Sequence, residues 1–206
     1  MVDDILEYYK RDSKRKDVED PLFKDYSLGW KYETRGAVES VAITPDGSRV
    51  VAGSNDNNVY LLDAEGKLLW KYKTGDWVIS VAISQDGSKV VASSYKNIYL
   101  FSSEGKLLWK YETGASVYSV AITPDGSRVV AGSGDNNIYL LDAKGELVWK
   151  YETGDYVGSV AINQDGSRVV AGSWDKNIYL LDAKGELVWK YGTGDRVKSV
   201  AINQDG

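Results

Sequence analysis

The sequence repeats with a period of about 40 residues, and this period limits the folds that the chain can adopt. The motif Trp-Lys-Tyr occurs five times, at spacings of 40, 39, 40 and 40 residues. The tryptophans of these motifs are Trp30, Trp70, Trp109, Trp149 and Trp189. The units that start at Trp109 and Trp149 differ at only seven of forty positions, which indicates recent duplication. Nearly identical units need equivalent environments, and an architecture that repeats one supersecondary element provides them.

Each unit contains four short apolar segments separated by turn residues. In the unit that starts at Trp109 these segments are residues 117–122, 128–133, 138–142 and 147–153. Short strands with a turn every 8–12 residues are typical of all-β proteins, and four strands per repeat of this length are typical of a propeller blade. The sequence therefore predicts an all-β chain, a β-propeller of four-stranded antiparallel blades. A β-sandwich would use the same strands, but it would not give every unit an equivalent environment.

The predicted propeller spans residues 28–206, with units that start at residues 30, 70, 109 and 149 and a partial unit at 189. It contains four complete blades. A fourth strand near Trp30 precedes them at the N-terminal end, and a first strand follows them at the C-terminal end. These two flanking strands do not make a fifth blade, because the second and third strands are missing.

Residues 1–27 differ in kind from the repeats, since eight acidic and six basic side chains make 14 of the 27 residues charged. Ile5, Tyr8 and Tyr9 have helical spacing within residues 3–16, and Pro21 would end such a helix. We expect a charged tail or a short helix here. A helix or strand docked on the propeller is the alternative.

Two absences from the composition exclude many kinds of active site. The chain has no His and no Cys, which removes zinc sites of the usual type, histidine bases, cysteine nucleophiles and disulfides. The net charge of −5 disfavours a general nucleic-acid binder. No apolar run is long enough to span a bilayer, and the N-terminus lacks the order of a secretory signal. We expect a cytoplasmic protein that is not an enzyme and that uses no metal, cofactor, nucleic acid or membrane.

Residues 40–63, SVAITPDGSRVVAGSNDNNVYLLD, resemble the WD-repeat propeller pattern, and the resemblance extends over about residues 28–206. The Trp-Asp dipeptide of that family is Leu-Asp at Leu62-Asp63 and in two further units, and Phe101-Ser102 in the second unit. Without His, the hydrogen-bond network of the family, made by Asp, His, Ser and Trp, cannot form as such. Only its turn aspartate is matched, by Asp56, Asp135 and Asp175.

The other half of each unit, such as LLDAKGELVWKYETG, resembles the tryptophan motif of quinoprotein-type propellers, in which a Gly precedes the Trp by four residues. In that family the tryptophan docks one blade against the next. The resemblance implies this structural role for Trp70, Trp109, Trp149 and Trp189, with Trp30 as an N-terminal counterpart that lacks the preceding Gly motif. Nothing in the chain matches a calcium and quinone site, so the resemblance implies no cofactor.

The units differ mainly at three positions. The eighth position of the unit is Ala37, Trp77, Ser116, Tyr156 and Arg196. The tenth is Glu39, Ile79, Tyr118, Gly158 and Lys198, and the turn between the second and third strands has Asn55, Tyr95, Gly134 and Trp174. In an antiparallel blade this turn and the connection between blades lie at the same end of the strands. All three positions are therefore predicted to lie on one face of the disc, near the mouth of the central channel, and we name it the variable face.

We predict that the variable face binds a partner, because Trp, Tyr and Arg dominate binding hot spots. The predicted contact residues are Glu39, Asn55, Trp77, Ile79, Tyr95, Tyr118, Tyr156, Trp174, Lys176, Arg196 and Lys198. The predicted function is a non-catalytic scaffold for protein or ligand interaction. A carbohydrate-binding propeller is the alternative, and a fragment of a quinoprotein-type enzyme is the third. Trp77 and Tyr156 could instead only fill gaps beside the channel.

Four blades with two unmatched strands leave open edges, and open edges pair with other chains. Two copies would place eight complete blades in one ring, at the upper end of the usual range. We therefore expect a homo-oligomer, with a two-fold dimer favoured. The alternatives are a fragment of a longer propeller and a small ring closed by the N-terminal segment.

Overall fold

A computed structural model describes residues 29–203 of the chain. The chain divides into two compact units, Met1–Lys31 and Tyr32–Gly206. The charged segment 1–27 and its predicted helix lie outside the described residues.

The second unit is all-β, with sixteen six-residue strands in four antiparallel sheets of four strands each. Blade 1 comprises β1 (Val38–Ile43), β2 (Arg49–Ser54), β3 (Asn58–Asp63) and β4 (Leu68–Lys73). Blade 2 comprises β5 (Val78–Ile83), β6 (Lys89–Ser94), β7 (Asn97–Ser102) and β8 (Leu107–Glu112). Blade 3 comprises β9 (Val117–Ile122), β10 (Arg128–Ser133), β11 (Asn137–Asp142) and β12 (Leu147–Glu152). Blade 4 comprises β13 (Val157–Ile162), β14 (Arg168–Ser173), β15 (Asn177–Asp182) and β16 (Leu187–Gly192). The predicted fold class is confirmed.

The turn between the first and second strands shows how the repeated residues shape a blade. Gly47 adopts a φ of 71°, which favours glycine, and its N–H donates to the Thr44 carbonyl at 2.9 Å. One oxygen of Asp46 accepts from the Thr44 hydroxyl at 2.7 Å and from the Ser48 N–H at 3.0 Å. These hydrogen bonds lower the pKa of Asp46 to about 2. The aspartate and glycine of this turn are therefore structural, as turn chemistry predicts.

The hydrophobic core lies between neighbouring blades. At the first boundary, Val51 and Val59 of blade 1 pack with Val78, Val81 and Phe101 of blade 2, and all five are buried. Every first strand also provides a serine whose hydroxyl accepts the N–H of a valine farther along the chain. The bonds join Val81 to Ser40, Val120 to Ser80, Val160 to Ser119 and Val200 to Ser159, all at 3.1 Å. Hydrophobic burial and this hydrogen bond together fix how one blade sits on the next.

The tryptophans of the repeat contact the following blade. The indole N–H groups of Trp70, Trp109 and Trp149 donate to the carbonyls of Ser103, Ala143 and Ala183, at 2.9, 3.1 and 3.1 Å. A Cβ at Gly145, where φ is 81°, would lie 2.7 Å from the Trp109 ring, so the glycine makes this close approach possible. Trp189, which precedes no complete blade, is 44% exposed. Trp30 belongs to the first compact unit.

The two flanking strands predicted at the ends of the propeller are the one correction to the fold. The structure has no strand in residues 29–37 or in residues 193–203. A strand needs a hydrogen-bonded neighbour, and the described residues include no second and third strands that would complete a blade at either end. Residues 197–202 nevertheless lie where a first strand would, since the N–H of Val197 donates to the Ser173 carbonyl at 3.1 Å.

The contact of Trp109 with blade 3 gives a first test. Trp109→Ala removes the indole packing on Gly145 and the hydrogen bond to Ala143, and it should lower the free energy of unfolding by about 3 kcal/mol. Urea denaturation measures this change. Trp77→Ala is the matched control, because Trp77 is 57% exposed and its loss should change stability by less than about 0.5 kcal/mol. Equal losses in the two variants would contradict the docking role.

Candidate interaction site

Backbone hydrogen bonds join the variable turn of a blade to its variable connection. The N–H of Asn55 donates to Ala37, that of Gly134 to Ser116 and that of Trp174 to Tyr156, at 2.8–3.0 Å. Each pair consists of the turn position and the eighth position of the same unit. The structure therefore places these two variable positions side by side in blades 1, 3 and 4.

The tenth position of the unit is the extra residue of a β-bulge. In blade 3 the register with β10 shifts between Val117 and Ser119, so Tyr118 has no ladder partner there. Glu39, Ile79 and Gly158 fall at the same irregularity in the first strands of the other blades. A bulged residue is not paired in the hydrogen-bond ladder, and its side chain can point out of the sheet. This explains how one position can differ in every unit without changing the fold.

An aspartate holds the variable turn in place in three blades. In blade 3, Asp135 Oδ2 accepts from the Gly114 N–H at 2.7 Å and from the Tyr139 hydroxyl at 2.6 Å. Its Oδ1 accepts from the Asn137 N–H at 3.1 Å. Asp56 and Asp175 bind the matching backbone N–H and Tyr60 or Tyr179 in the same way. A tyrosine hydroxyl thus bonds the turn aspartate, in a network that contains no histidine.

These contacts set the ionisation of the network. Burial opposes the charge on Asp135, but hydrogen bonds from Tyr139, Asn137 and Gly114 outweigh it and lower the pKa of the carboxyl. Burial and the neighbouring carboxylate raise the pKa of Tyr139. The pair is therefore an ionised acceptor with a neutral donor at neutral pH. A general base needs a pKa near the working pH, whereas the pKa of this carboxyl is lowered, so the pair fits a structural role.

Blade 2 lacks this aspartate, which accounts for its 39-residue unit. Its β6 and β7 are joined by a two-residue hairpin, and Ser94 pairs with Asn97. Tyr95, the first residue of the hairpin, has a φ of 48° and an exposed side chain. Tyr99, the counterpart of Tyr139, has no carboxylate partner among residues 29–203, and burial raises its pKa.

Five predicted contact residues come together beside blades 3 and 4. Tyr118 stacks on Trp174 with ring centroids 6.2 Å apart and planes 13° apart. Tyr156 lies 5.3 Å from Trp174 and 6.0 Å from Tyr118. The Arg196 guanidinium lies 4.6 Å from the centroid of the Trp174 ring. We name Tyr118, Tyr156, Trp174, Arg196 and Lys198 the aromatic cluster.

Glycines at two variable positions make the aromatic cluster possible. A Cβ at Gly158 would lie 2.9 Å from Trp174 Nε1, and a Cβ at Gly134 would lie 3.1 Å from Tyr118 Cε2. The predicted contact residues include the cluster members but not these two glycines, although both glycines occupy variable positions. Gly158 also lines a cavity of about 320 Å³ with Tyr118, Trp174, Arg196 and Lys198. This volume lies at the lower end of the range for ligand pockets.

The other predicted contact residues lie elsewhere on the repeats. Trp77 and Tyr95 are exposed, as are Glu39 and Lys176, whereas Asn55 and Ile79 are half-buried. Lys176 has a φ of 73°, and its carbonyl accepts the Thr193 N–H at 2.8 Å. Among the described residues, no ring contact links Trp77 or Tyr95 to the aromatic cluster. Partner binding by any of these residues stays a prediction.

The sheets, their order along the chain and the tryptophans between blades define a β-propeller. A family model described as outer membrane protein assembly factor BamB matches residues 55–204, and the chain belongs to this family. A model of the WD domain, G-beta repeat, matches residues 29–63. Both halves of the predicted resemblance are thereby confirmed. No curated protein is similar enough in sequence to match the chain.

Residues 29–203 include no helix that is long and apolar enough to cross a membrane.

The aspartate network gives a second test. Tyr139→Phe leaves the Asp135 carboxylate without one donor, and the free energy of unfolding should fall by about 1–2 kcal/mol. Tyr99→Phe is the matched control, because its blade has no such aspartate and the same change should cost less. Urea denaturation of both variants measures the difference. A Tyr99→Phe loss as large as that of Tyr139→Phe would contradict the role of the network.

The lowered pKa of Asp135 predicts how stability changes with pH. A carboxyl whose pKa is lower in the folded state stabilises the protein fully above the unfolded value of about 4, and this stabilisation is lost as pH falls through the folded value. Asp135→Asn should therefore be less stable than the parent at pH 7 and lose less further stability between pH 5 and 3. Urea unfolding over this range measures the effect. The matched control is Glu152→Gln, on an exposed residue of β12, and its unfolding free energy should change with pH as that of the parent does. The same pH dependence in Asp135→Asn would contradict the prediction.

Proposed function

We propose that the chain is a non-catalytic interaction module that binds a segment of a partner protein at the aromatic cluster. One observation carries the proposal: residues that differ between otherwise nearly identical units meet in space around Trp174. Repeats that serve only the fold have no reason to differ at one end of the strands. Differences concentrated at adjacent surface positions are what recognition of a single partner requires.

The chemistry of the aromatic cluster suits a peptide. Three aromatic rings offer a large apolar area at little cost in side-chain entropy, and Trp, Tyr and Arg are the residues most enriched in hot spots. Stacking between Tyr118 and Trp174 fixes both rings before binding. The cavity of about 320 Å³ has room for one or two side chains and not for a folded domain.

The charges at the rim favour an acidic segment. Arg196 and Lys198 are both exposed and line the cavity. Asp155 and Asp195, the carboxylates on the adjacent connections, already accept the N–H groups of Tyr156 and Arg196, at 2.8 and 2.7 Å. An acidic peptide with an apolar or aromatic side chain could pair with the two cations and insert that side chain between the rings.

Family membership and composition also support the proposal. The matched family model is described as an assembly factor, a role that rests on protein contacts. The absence of His and Cys removes the most common bases and nucleophiles. Carbohydrate-binding propellers would need equivalent pockets between blades, whereas the cluster residues are unique to their units.

Selection from a displayed library of random 12-residue peptides tests the proposal, with the selected peptides then measured by tryptophan fluorescence. Enriched peptides should be acidic and contain an aromatic or large apolar residue. Trp174→Ala and Arg196→Ala should each weaken binding by about tenfold or more, and added salt should weaken it further. Trp77→Ala is the matched control and should bind as the parent does. Equal loss in all three variants, or binding to a glycan array with no selected peptide, would contradict the proposal.

A further inference from the structure

The first blade exposes the apolar face that every other blade buries. In blades 2, 3 and 4 the valine of the Ser-Val-Ala-Ile motif is at most 6% exposed, whereas Val41, its counterpart in β1, is 65% exposed. Ile43 on the same strand is 62% exposed, and Val38 is also exposed. This face has the chemistry of an internal boundary and no blade against it in the described part of the chain.

The internal boundaries show what such a face packs on. Val157 lies so close to β10 of the preceding blade that a Cβ at Gly132 would lie 2.7 Å from its Cγ1. Val160 donates its N–H to the Ser119 hydroxyl of that blade. Ile138 and Leu140 of blade 3 are at most 1% exposed because blade 4 covers them. The surface that accepts a first strand is therefore a glycine, a serine and two large aliphatic residues.

The last blade carries the same receiving surface, and residues 197–202 cover only part of it. Val197 packs on Gly172, and Val200 donates to the Ser159 hydroxyl at 3.1 Å. Ile178 and Leu180 stay half-buried, unlike their counterparts in blade 3. Together with Val170, Trp189, Val200 and Ile202 they line an open apolar cavity.

An internal first strand is both paired in its own blade and packed on the preceding blade, and each end of the described blades has only one of these two features. The strand β1 is paired with β2 along its length, but its valine face is exposed. Residues 197–202 have a packed valine face, but they form no strand in the described chain. The two segments, VESVAI and VKSVAI, differ only at Glu39 and Lys198. One segment can therefore replace the other on the last blade.

We propose that a second copy of this chain docks its first blade on the last blade of the first copy, with β1 in the place of residues 197–202. The second copy's Val41 would then take the hydrogen bond to Ser159 that Val200 makes now. Ile178, Leu180 and Trp189 would be covered by a complete blade. Because each copy has both surfaces, two such contacts close a two-fold ring of eight complete blades.

The hydrogen bonds decide which of the two segments gives way. Releasing residues 197–202 breaks the bonds of Val197 to Ser173 and of Val200 to Ser159, and the incoming β1 remakes both. Releasing β1 instead would break its entire ladder with β2. The incoming β1 also brings three paired strands that extend the buried area. The C-terminal segment is therefore the one that leaves.

Docking would also change the aromatic cluster. Lys198 would leave the cavity beside Trp174, and the second copy's Glu39 would occupy the equivalent position. A cation is thereby exchanged for an anion, so an acidic peptide and the second copy should weaken each other's binding. The assembly itself does not depend on the peptide.

Sedimentation equilibrium of the full chain at about 1–100 µM, a range in which dimers of ordinary affinity dissociate, tests the proposal. The parent should approach twice 22.8 kDa at the upper end. Val41→Asp should remain a folded monomer at every concentration. Val41 is exposed in the single chain, so its substitution should leave the fold of that chain intact. Val148→Asp is the matched control, since Val148 is 43% exposed on β12, and it should keep the parental mass. A monomeric parent at 100 µM, or a dimer in Val41→Asp, would overturn the proposal.

A second variant tests which segment gives way. Val200→Asp weakens the hold of the C-terminal segment on its own blade, so it should leave the dimer intact or tighten it. Loss of the dimer in this variant would show that strands are exchanged instead, and would overturn the assigned arrangement. Peptide binding by the monomeric Val41→Asp variant reports on the proposed function separately, because that variant keeps all residues of the aromatic cluster.

Discussion

The structure depends on the contact between one blade and the first strand of the next. A blade is a sheet of four short strands, and its two apolar faces cannot both be buried by the sheet alone. Valines of the following first strand cover one face, and the serine hydroxyl bond repeated at 3.1 Å along the chain sets their position. Every boundary uses nearly the same residues, so the core consists of one hydrophobic cluster at each boundary, and each unit contacts only its neighbours. Among the described residues, the same rule leaves a face of blade 1 uncovered and a face of blade 4 only partly covered.

This framework also determines where the sequence is free to change. A residue in a boundary must fit two blades, whereas the bulged tenth position and the turn between the second and third strands lie outside both the ladder and the core. Large residues there still need space, and the neighbouring units provide it: Tyr118 lies against Gly134, and Trp174 lies against Gly158. The aromatic cluster is therefore a set of compensating differences between adjacent units. Such a set cannot arise from one substitution.

Much of the fold was predictable because the period fixes the strands. The segments 117–122 and 128–133 predicted from the sequence agree with β9 and β10, and the other two strands of that unit agree within one residue. The flanking strands were predicted by extending the same period, and this prediction is wrong for residues 29–37 and 193–203, because a strand also requires a hydrogen-bonded neighbour. The variable positions could be found by comparing units, but their assembly around Trp174 depends on the bulge and on glycines whose role only packing reveals. In three units the sequence has an Asp four residues before a Tyr. This spacing indicates a hydrogen bond only when the conformation of the intervening turn is known.

Blade 2 shows which features of a unit the fold can lose. It lacks the turn aspartate, and Ser93 stands where the other blades have a glycine. An added ladder pair, Ser94 with Asn97, closes the shorter turn, and the Ser93 hydroxyl accepts the Ser80 N–H at 3.2 Å. The boundary valines and the serine bond of this blade are unchanged. A blade can therefore pack on its neighbours without the aspartate network. In blades 1, 3 and 4 the network holds the variable turn in place and adds to the stability of the fold.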